Sequence, residues 1–334
     1  MHRKRLIGLF VGALVVSMSA MTAAAFGTVI TGAGSTLVQP LITQWTGHSS
    51  LWHNVEYGGV GSGTGIEDIT ARSVEFGASD APLTSAQAAA CNGCVQIPWA
   101  LTATAVGYNL NGIRGLKLTG PILAEIYQGK ITNWDSSAIK KLNKGKRLPN
   151  EKITPVFRSD GSGDTYAFTN FLSKTSRSWA HSEGTSTSVN FTVGTGSKGN
   201  AGVTFVVGET PGSIGYIAAS FLIAHALPAA AIENAAGKFE FPNLKNIANA
   251  ASSVKRVPAS GLHIVDPPKK DKIAYPISTF TNGIFPKNSS VGSTLQGLIK
   301  YALGTGQKFG PALDFSPIPK VVKKADLKFA KQIH

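Results

Sequence analysis

The stretch EKITPVFRSDGSGDTYAFTNFLSK, residues 151–174, reads as strand, tight turn and helix. Arg158, Asp160, Gly161, Ser162, Gly163 and Asp164 crowd the turn, and an apolar, aromatic pattern follows. A helix start offers free backbone N–H groups and the positive end of a dipole. Glycine lets the backbone come close to an anion, and a hydroxyl adds a neutral donor. The stretch is therefore a phosphate-type cradle, a serine nucleophile loop or a plain capped turn.

The same grammar occurs twice upstream, at GAGST (Gly32 to Thr36) and GSGTG (Gly61 to Gly65). One such turn is a weak signal, because Ser-Gly turns often only cap helices. Three of them, with Arg158 beside the third, point to an oxyanion site.

Outward from these turns, strands alternate with helices, which implies an α/β protein with parallel or mixed sheets. Upstream, STLVQPLITQW is helical, Asn54 to Tyr57 a strand, Ile66 to Ala71 a helix, Val74 to Gly77 a strand and TSAQAAA a helix. VQIPWALTATAVGYNL is a β-rich run that could carry the chain into a second unit. There, GPILAEIYQGKITNWDSSAIKKLN is helical in two pieces broken at Gly129 to Asn133, and SIGYIAASFLIAHAL is strand then helix. YPISTFTNGIF reads as a strand where the chain crosses back, and STLQGLIKYALGTGQKFG as an amphipathic helix. No repeat of fixed period and no low-complexity linker interrupts this order.

The chain has 334 residues, 43% hydrophobic and 15% charged, so it is globular and long enough for one large or two medium domains. Its first residues read as a signal peptide, residues 1–25. HRKR is a basic start, LIGLFVGALVVSMSAM an apolar core, and Ala23 to Ala25 a small-residue site with cleavage expected near Ala25. An uncleaved anchor is the alternative reading. No cysteine precedes Cys91, so there is no lipid acceptor, and the mature chain is expected to be exported and soluble.

Cys91 and Cys94 are the only cysteines, in CNGC. One such pair has too few ligands for structural zinc. Outside the cytoplasm it reads as a local disulfide, with a thioredoxin-like redox pair as the lesser alternative. The net charge is +14, and losing Arg3, Lys4 and Arg5 lowers it by three to +11. Lysines cluster at PPKKDK and across Lys320 to Lys331, but no nucleic-acid motif interleaves them. A solvated basic surface accounts for most of them, and a positive field that steers anions inward is an addition to it.

Competing motifs fail. None of the turns carries the lysine of a nucleotide P-loop, and none has the glycine spacing of a dinucleotide fingerprint. Asp160 and Asp164 stand where a hydrolase elbow around Ser162 needs glycines. His48, His53, His181, His225 and His263 have no metal-ligand spacing. No nucleophile is paired with a base, so no catalytic residue, metal or cofactor is expected.

TGAGSTLVQP, YGGVGSGTG, FGASDAPLT, EIYQGKITNWD, RSDGSGDT and SKGNAGVTFVV with PGSIGYI fall in the order and spacing of the phosphate-binding proteins of ABC phosphate importers. The chain resembles that family from about Thr31 to its C-terminus. The resemblance implies a two-lobed periplasmic binding fold of type II character, with mixed sheets flanked by helices. Lobe I would comprise residues 28–107 plus 275–334, and lobe II residues 108–274. Hinge crossovers would lie near Val106 to Asn109 and Lys272 to Ile277. It further implies inorganic phosphate as ligand, a membrane permease as partner, a periplasmic location, a monomer and no catalysis.

Carried over by position, Ser35, Thr36 and Leu37 match the first helix start, with backbone N–H groups and the Thr36 hydroxyl as donors. Ser62 matches a hydroxyl donor, Asp80 an acceptor, Arg158 a bidentate cation and Asp160 the residue that holds it. Ser162, Gly163 and Asp164 match the third helix start. The plain alternative for Asp80 and Asp160 is capping or turn formation. Many relatives have threonine where Asp164 stands. An aspartate there either accepts a proton from phosphate, which still carries one or two protons near neutral pH, or points outward and only caps the helix. If both Asp80 and Asp164 accept, fully ionised sulfate is repelled, and phosphate affinity falls as pH rises.

Three other readings stay open on the sequence: an exported phosphoester hydrolase, a receptor for another tetrahedral oxyanion, and an adhesin or phosphate scavenger without a transporter.

Overall fold

The computed structural model describes residues 28–334; the expected signal peptide lies outside them. In chain order, β1 (Ile30–Gly34), α1 (Gln39–His48), β2 (Val55–Gly59), α2 (Ser62–Thr70), β3 (Phe76–Ser79) and α3 (Ser85–Ala90) lead into the long β4 (Cys94–Tyr108). Then come β5 (Lys117–Leu118), α4 (Gly120–Tyr127), α5 (Ser137–Leu142), β6 (Thr154–Arg158), α6 (Gly163–Thr175), α7 (Arg177–Ser182) and β7 (Thr195–Ser197). These are followed by α8 (Gly199–Glu209), β8 (Ser213–Ala218), α9 (Ala219–Ala224), β9 (Ala231–Glu233), β10 (Phe239–Glu240) and α10 (Leu244–Ala250). β11 (Ser278–Pro286), α11 (Gly292–Ala302) and α12 (Lys320–Ala330) complete the chain.

The strands form one mixed sheet in the order β2-β1-β3-β11-β4-β8-β6-β7, with β10-β9-β5 apart. The expectation of a two-lobed α/β architecture with mixed sheets holds. β4 joins the lobes. Its residues Cys94 to Ala103 pair antiparallel with β11, and Thr104 to Tyr108 pair antiparallel with β8. The change of partner falls at Ala103/Thr104; the resemblance implies a crossover a little further on, near Val106 to Asn109. Pro98 has no N–H for a ladder, and the β4/β11 register shifts beside it, between Thr281 and Asn282.

Two aromatic groups lie within the core. In one, Trp99 packs edge-on against Trp45, Phe76 and Phe285. In the other, Phe168 stacks on Tyr216 and meets Tyr127 edge-on. All six of Trp45, Trp99, Phe76, Phe168, Tyr216 and Phe285 are fully buried. Truncating Trp99 or Phe168 to alanine would cost about 3–5 kcal/mol.

Two parts of the sequence reading change. Helix α1 begins at Gln39, with Val38 as its cap residue and Pro40 in its first turn. Proline sits well in a first turn because its missing N–H is not needed there. Ser35, Thr36 and Leu37 therefore lie in the turn that precedes the helix, not at its start. Helix α2 begins earlier than Ile66, at Ser62, directly after Gly61 with φ +98°. A side chain is rarely tolerated there.

Among the described residues, no helix is long and apolar enough to cross a membrane. Cys91 and Cys94 form a disulfide at the turn between α3 and β4.

Candidate functional site

The three glycine turns meet at the junction of the lobes. β1 ends at Gly34, whose carbonyl accepts from the N–H groups of Val60 and Gly61. Gly34 has φ +141°, and a Cβ there would run into the Ala78 carbonyl of β3. This close approach draws the first two turns and Asp80 together. The third turn follows β6, which ends at Arg158 in the middle of the other lobe's sheet. Ser162 caps α6 by accepting from the N–H of Thr165 at 3.3 Å. Its hydroxyl proton remains free to donate.

Asp80 is 2% exposed. The Ser35 hydroxyl reaches both of its oxygens, at 2.8 and 2.6 Å, and the Thr281 hydroxyl donates to Oδ1 at 2.6 Å. Burial pushes the Asp80 carboxyl up to about 7. The Asp164 charge adds to the rise, while the Ser35 and Thr281 hydroxyls and Arg158 oppose it. Desolvation dominates because the charged form loses more than two hydroxyl donors return. Ser62 Oγ lies 3.5 Å from Asp80 Oδ2 and accepts from the N–H groups of Asp80 at 3.3 Å and Gly163 at 3.1 Å. The last bond crosses from one lobe to the other.

Arg158 is buried and gripped on two sides. Its Nε and Nη2 donate to the two oxygens of Asp160 at 2.7 and 2.5 Å, and Nη1 donates to Asp164 Oδ2 at 3.1 Å. Its N–H donates to the Tyr216 hydroxyl at 2.9 Å. Burial works against the guanidinium charge and against the Asp160 carboxylate. The hydrogen-bonded ion pair outweighs it, so Arg158 is held above and Asp160 below the usual range.

Asp164 does not point outward. It is fully buried in the first turn of α6, and the cap is Ser162. Thr104 of β4 donates to its Oδ1 at 2.7 Å; Arg158 and Asn200 donate to Oδ2, Asn200 at 2.7 Å. Burial raises its carboxyl, against the pull of Arg158 and of the Thr104 and Asn200 hydrogen bonds. The outward-capping alternative is therefore excluded by the structure.

One further expectation is corrected. The Ser35 N–H donates to the Ala78 carbonyl at 2.8 Å, a bond that ties the turn to β3. It is not free for an anion. The Leu37 N–H meets Ser35 Oγ at 3.1 Å. Thr36 accepts from the side chain and N–H of Asn200, at 2.9 and 3.3 Å.

Four residues at the site were not singled out in the sequence: Thr104, Asn200, Tyr216 and Thr281. Thr104 and Thr281 stand inside apolar β-runs, where a buried hydroxyl needs a partner. That was the available signal for both. Asn200 lies in SKGNAG, where the cap residue of α8 is Lys198 rather than a serine or aspartate.

A hollow of about 480 Å³, lined by Ile126, Gly129, Lys152 and Gly194 among others, lies apart from these groups. Among the described residues, no group of three His, Cys, Asp or Glu side chains could hold a metal.

The PBP superfamily domain profile matches residues 20–305. The phosphate-binding protein PstS of Xylella fastidiosa (strain 9a5c) is 36% identical over 312 residues, covering 91% of this chain and 85% of that protein. The phosphate-binding protein PstS of Methanocaldococcus jannaschii is 33% identical over 311 residues, covering 84% and 79%. A high-affinity periplasmic phosphate-binding protein (PfluDING), solved with phosphate bound, superposes with a TM-score of 0.74 at 21% identity, over 89% of this chain and 92% of that one. An ABC-type phosphate transport receptor from Vibrio cholerae superposes with a TM-score of 0.55 at 20% identity, over 87% and 100%.

Proposed function

Because the chain belongs to the PBP superfamily and, within it, to the PstS phosphate-binding proteins, we propose that it is an exported receptor for inorganic phosphate. It carries phosphate to the permease of an ABC importer. The observation that carries this reading is the charge balance of the cleft. One buried guanidinium, Arg158, faces three carboxylates, Asp80, Asp160 and Asp164, with Asp80 and Asp164 fully enclosed. Such a site repels a fully ionised anion. It accepts one that brings protons of its own, because each proton turns a repulsion into a hydrogen bond.

In this reading phosphate lies between the lobes. Thr36, Ser62 and Asp80 face it from lobe I. Arg158, Ser162, the Gly163 N–H and Asp164 face it from lobe II. The Leu37 N–H and the Ser35 side chain act at one remove, through Asp80 and the turn. Arg158 keeps N–H protons beyond those given to Asp160 and Asp164, and offers them in its planar fork. Asp160 holds that fork in place. The neutral donors compensate phosphate without adding charge, as a helix start does.

The lobes close on the ligand by a hinge motion about the crossover in β4, and the permease recognises the closed form. The cleft carries out no bond-breaking step: no hydrogen bond pairs the Ser162 hydroxyl with a base, and its Oγ accepts from the Thr165 N–H as the cap of α6. The receptor acts as a monomer in the periplasm after loss of residues 1–25.

Calorimetric titration of the signal-free protein with phosphate, arsenate and sulfate tests the reading. Tight phosphate binding with sulfate at least about 100-fold weaker is expected, since an unpaired buried charge costs upward of 1–3 kcal/mol. No heat with phosphate, or equal affinity for sulfate, refutes it.

A further inference from the structure

We propose that Asn200, at the start of α8, is the clasp that holds the two lobes closed and turns the Thr36 hydroxyl toward the ligand. This deepens the phosphate-receptor reading and rests on it. Asn200 is fully buried. Its Oδ1 accepts from the N–H of Ala218 at 2.7 Å. A backbone N–H can only donate, so the side-chain amide has one orientation. Its NH2 group therefore faces away from β8, and both of its protons are used. One goes to Asp164 Oδ2 in the same lobe at 2.7 Å. The other goes to Thr36 Oγ1 in the opposite lobe at 2.9 Å. The Asn200 N–H also approaches Thr36 Oγ1, at 3.3 Å.

Two consequences follow from donor counting. Thr36 Oγ1 accepts from Asn200, so its own proton must be given elsewhere, and a phosphate oxygen is the acceptor that the cleft would supply. Asp164 Oδ2 receives two donors, Arg158 and Asn200, which keeps it an acceptor. Asn200 thereby sets the proton direction at one group on each side of the cleft. Of the other bonds across the junction, Gly63 N–H to Gly161 at 2.9 Å and Gly163 N–H to Ser62 at 3.1 Å run from backbone groups of glycine turns, and Thr104 of β4 donates to Asp164 at 2.7 Å. Asn200 sits instead on a helix whose Val203 and Val207 are packed in the lobe II core. It ties the junction to that core and positions others rather than supplying the main charge.

A clasp acts on the closed state, so its loss appears in release more than in capture. The test compares wild type with Asn200→Ala and Asn200→Ser, the latter keeping an acceptor for Ala218. Stopped-flow measurement of phosphate release and capture is combined with small-angle scattering of the ligand-free proteins. For variants that keep wild-type circular dichroism, release should be about tenfold or more faster with capture changed less than about threefold, and the ligand-free form should be more open. Release within twofold of wild type, together with unchanged scattering, overturns the proposal. Thr36→Val removes the same bond from the other lobe. If neither Asn200 variant folds, the ligand-free scattering of Thr36→Val carries the same expectation and the same refutation. If wild type binds no phosphate, the receptor reading falls, and the ligand-free scattering still decides the clasp.

Discussion

Asp80 and Gly163 face each other across the lobe junction with no room for a side chain between them: a Cβ on Gly163 would stand 2.5 Å from the Cβ of Asp80. The obstruction comes from the other lobe, so it matters only when the lobes are closed. Gly163→Ala should leave the fold intact and oppose closure. Overpacking of this kind costs about 1–3 kcal/mol, which corresponds to roughly a five- to 150-fold loss of phosphate affinity. Calorimetry against an unchanged thermal melt checks it.

Asp80 gives the receptor a definite response to pH. Its carboxyl is pushed up to about 7, mainly by burial and next by Asp164. Above that value the enclosed Asp80 gives up its proton and free phosphate loses one as well, protons that the complex must share. Binding then takes up a proton, and affinity falls as pH rises, by up to about tenfold per unit for one proton. Asp80→Asn should flatten this slope and relax the exclusion of sulfate. Asp164→Thr removes the neighbouring charge, so Asp80 titrates lower and the fall begins at a lower pH. Titrations between pH 5 and pH 9 read both effects.

Asp326 lies in the buried stripe of α12 with Val322 and Ala330, and neither of its oxygens has a hydrogen-bond partner. Burial pushes its carboxyl from 3.8 up to about 8. The folded state therefore holds a proton that the unfolded chain has already released. Its contribution is fully present below about pH 4 and is lost as pH rises toward 8, by at most about 1.4 kcal/mol per unit. Asp326→Asn has no proton to lose. Urea unfolding should show the variant gaining on wild type steadily from pH 5 to pH 8, and equal slopes would contradict the assignment.

The Cys91–Cys94 disulfide closes a very short loop. Cross-linking so few residues removes only about 2 kcal/mol of chain entropy from the unfolded state. Arg72 already braces the same turn, donating to the Cys91 carbonyl at 2.8 Å and the Asn92 carbonyl at 3.3 Å. The Cys91→Ser, Cys94→Ser double variant should lose about that much stability and bind phosphate as wild type does. Chemical denaturation and calorimetry separate the two outcomes.

The β–turn–α units were legible because glycine, hydroxyl and charge sit together within a few residues. RSDGSGDT shows its turn, its cap and its cation in one glance. Helix α8 was not legible from GNAGVTFVVGE, where glycines and β-branched residues speak against a helix; packing of Val203 and Val207 on the sheet overrides that preference. The role of Ser35 was legible only in part. Its hydroxyl serves the site through Asp80, while its N–H is spent on β3. Asn200 was out of reach, because its partner Thr36 is 164 positions away and nothing local marks the pair. The fate of Asp164 depended on Thr104, a residue of the strand that joins the lobes.

That strand has a consequence for how the molecule comes apart. β4 supplies a central ladder to both halves, with β11 on one stretch and β8 on the next. Neither half can lose its sheet without stripping a strand from the other. The two lobes should therefore melt together, as a single calorimetric transition whose enthalpy matches the whole chain. The molecule moves as two bodies and dies as one.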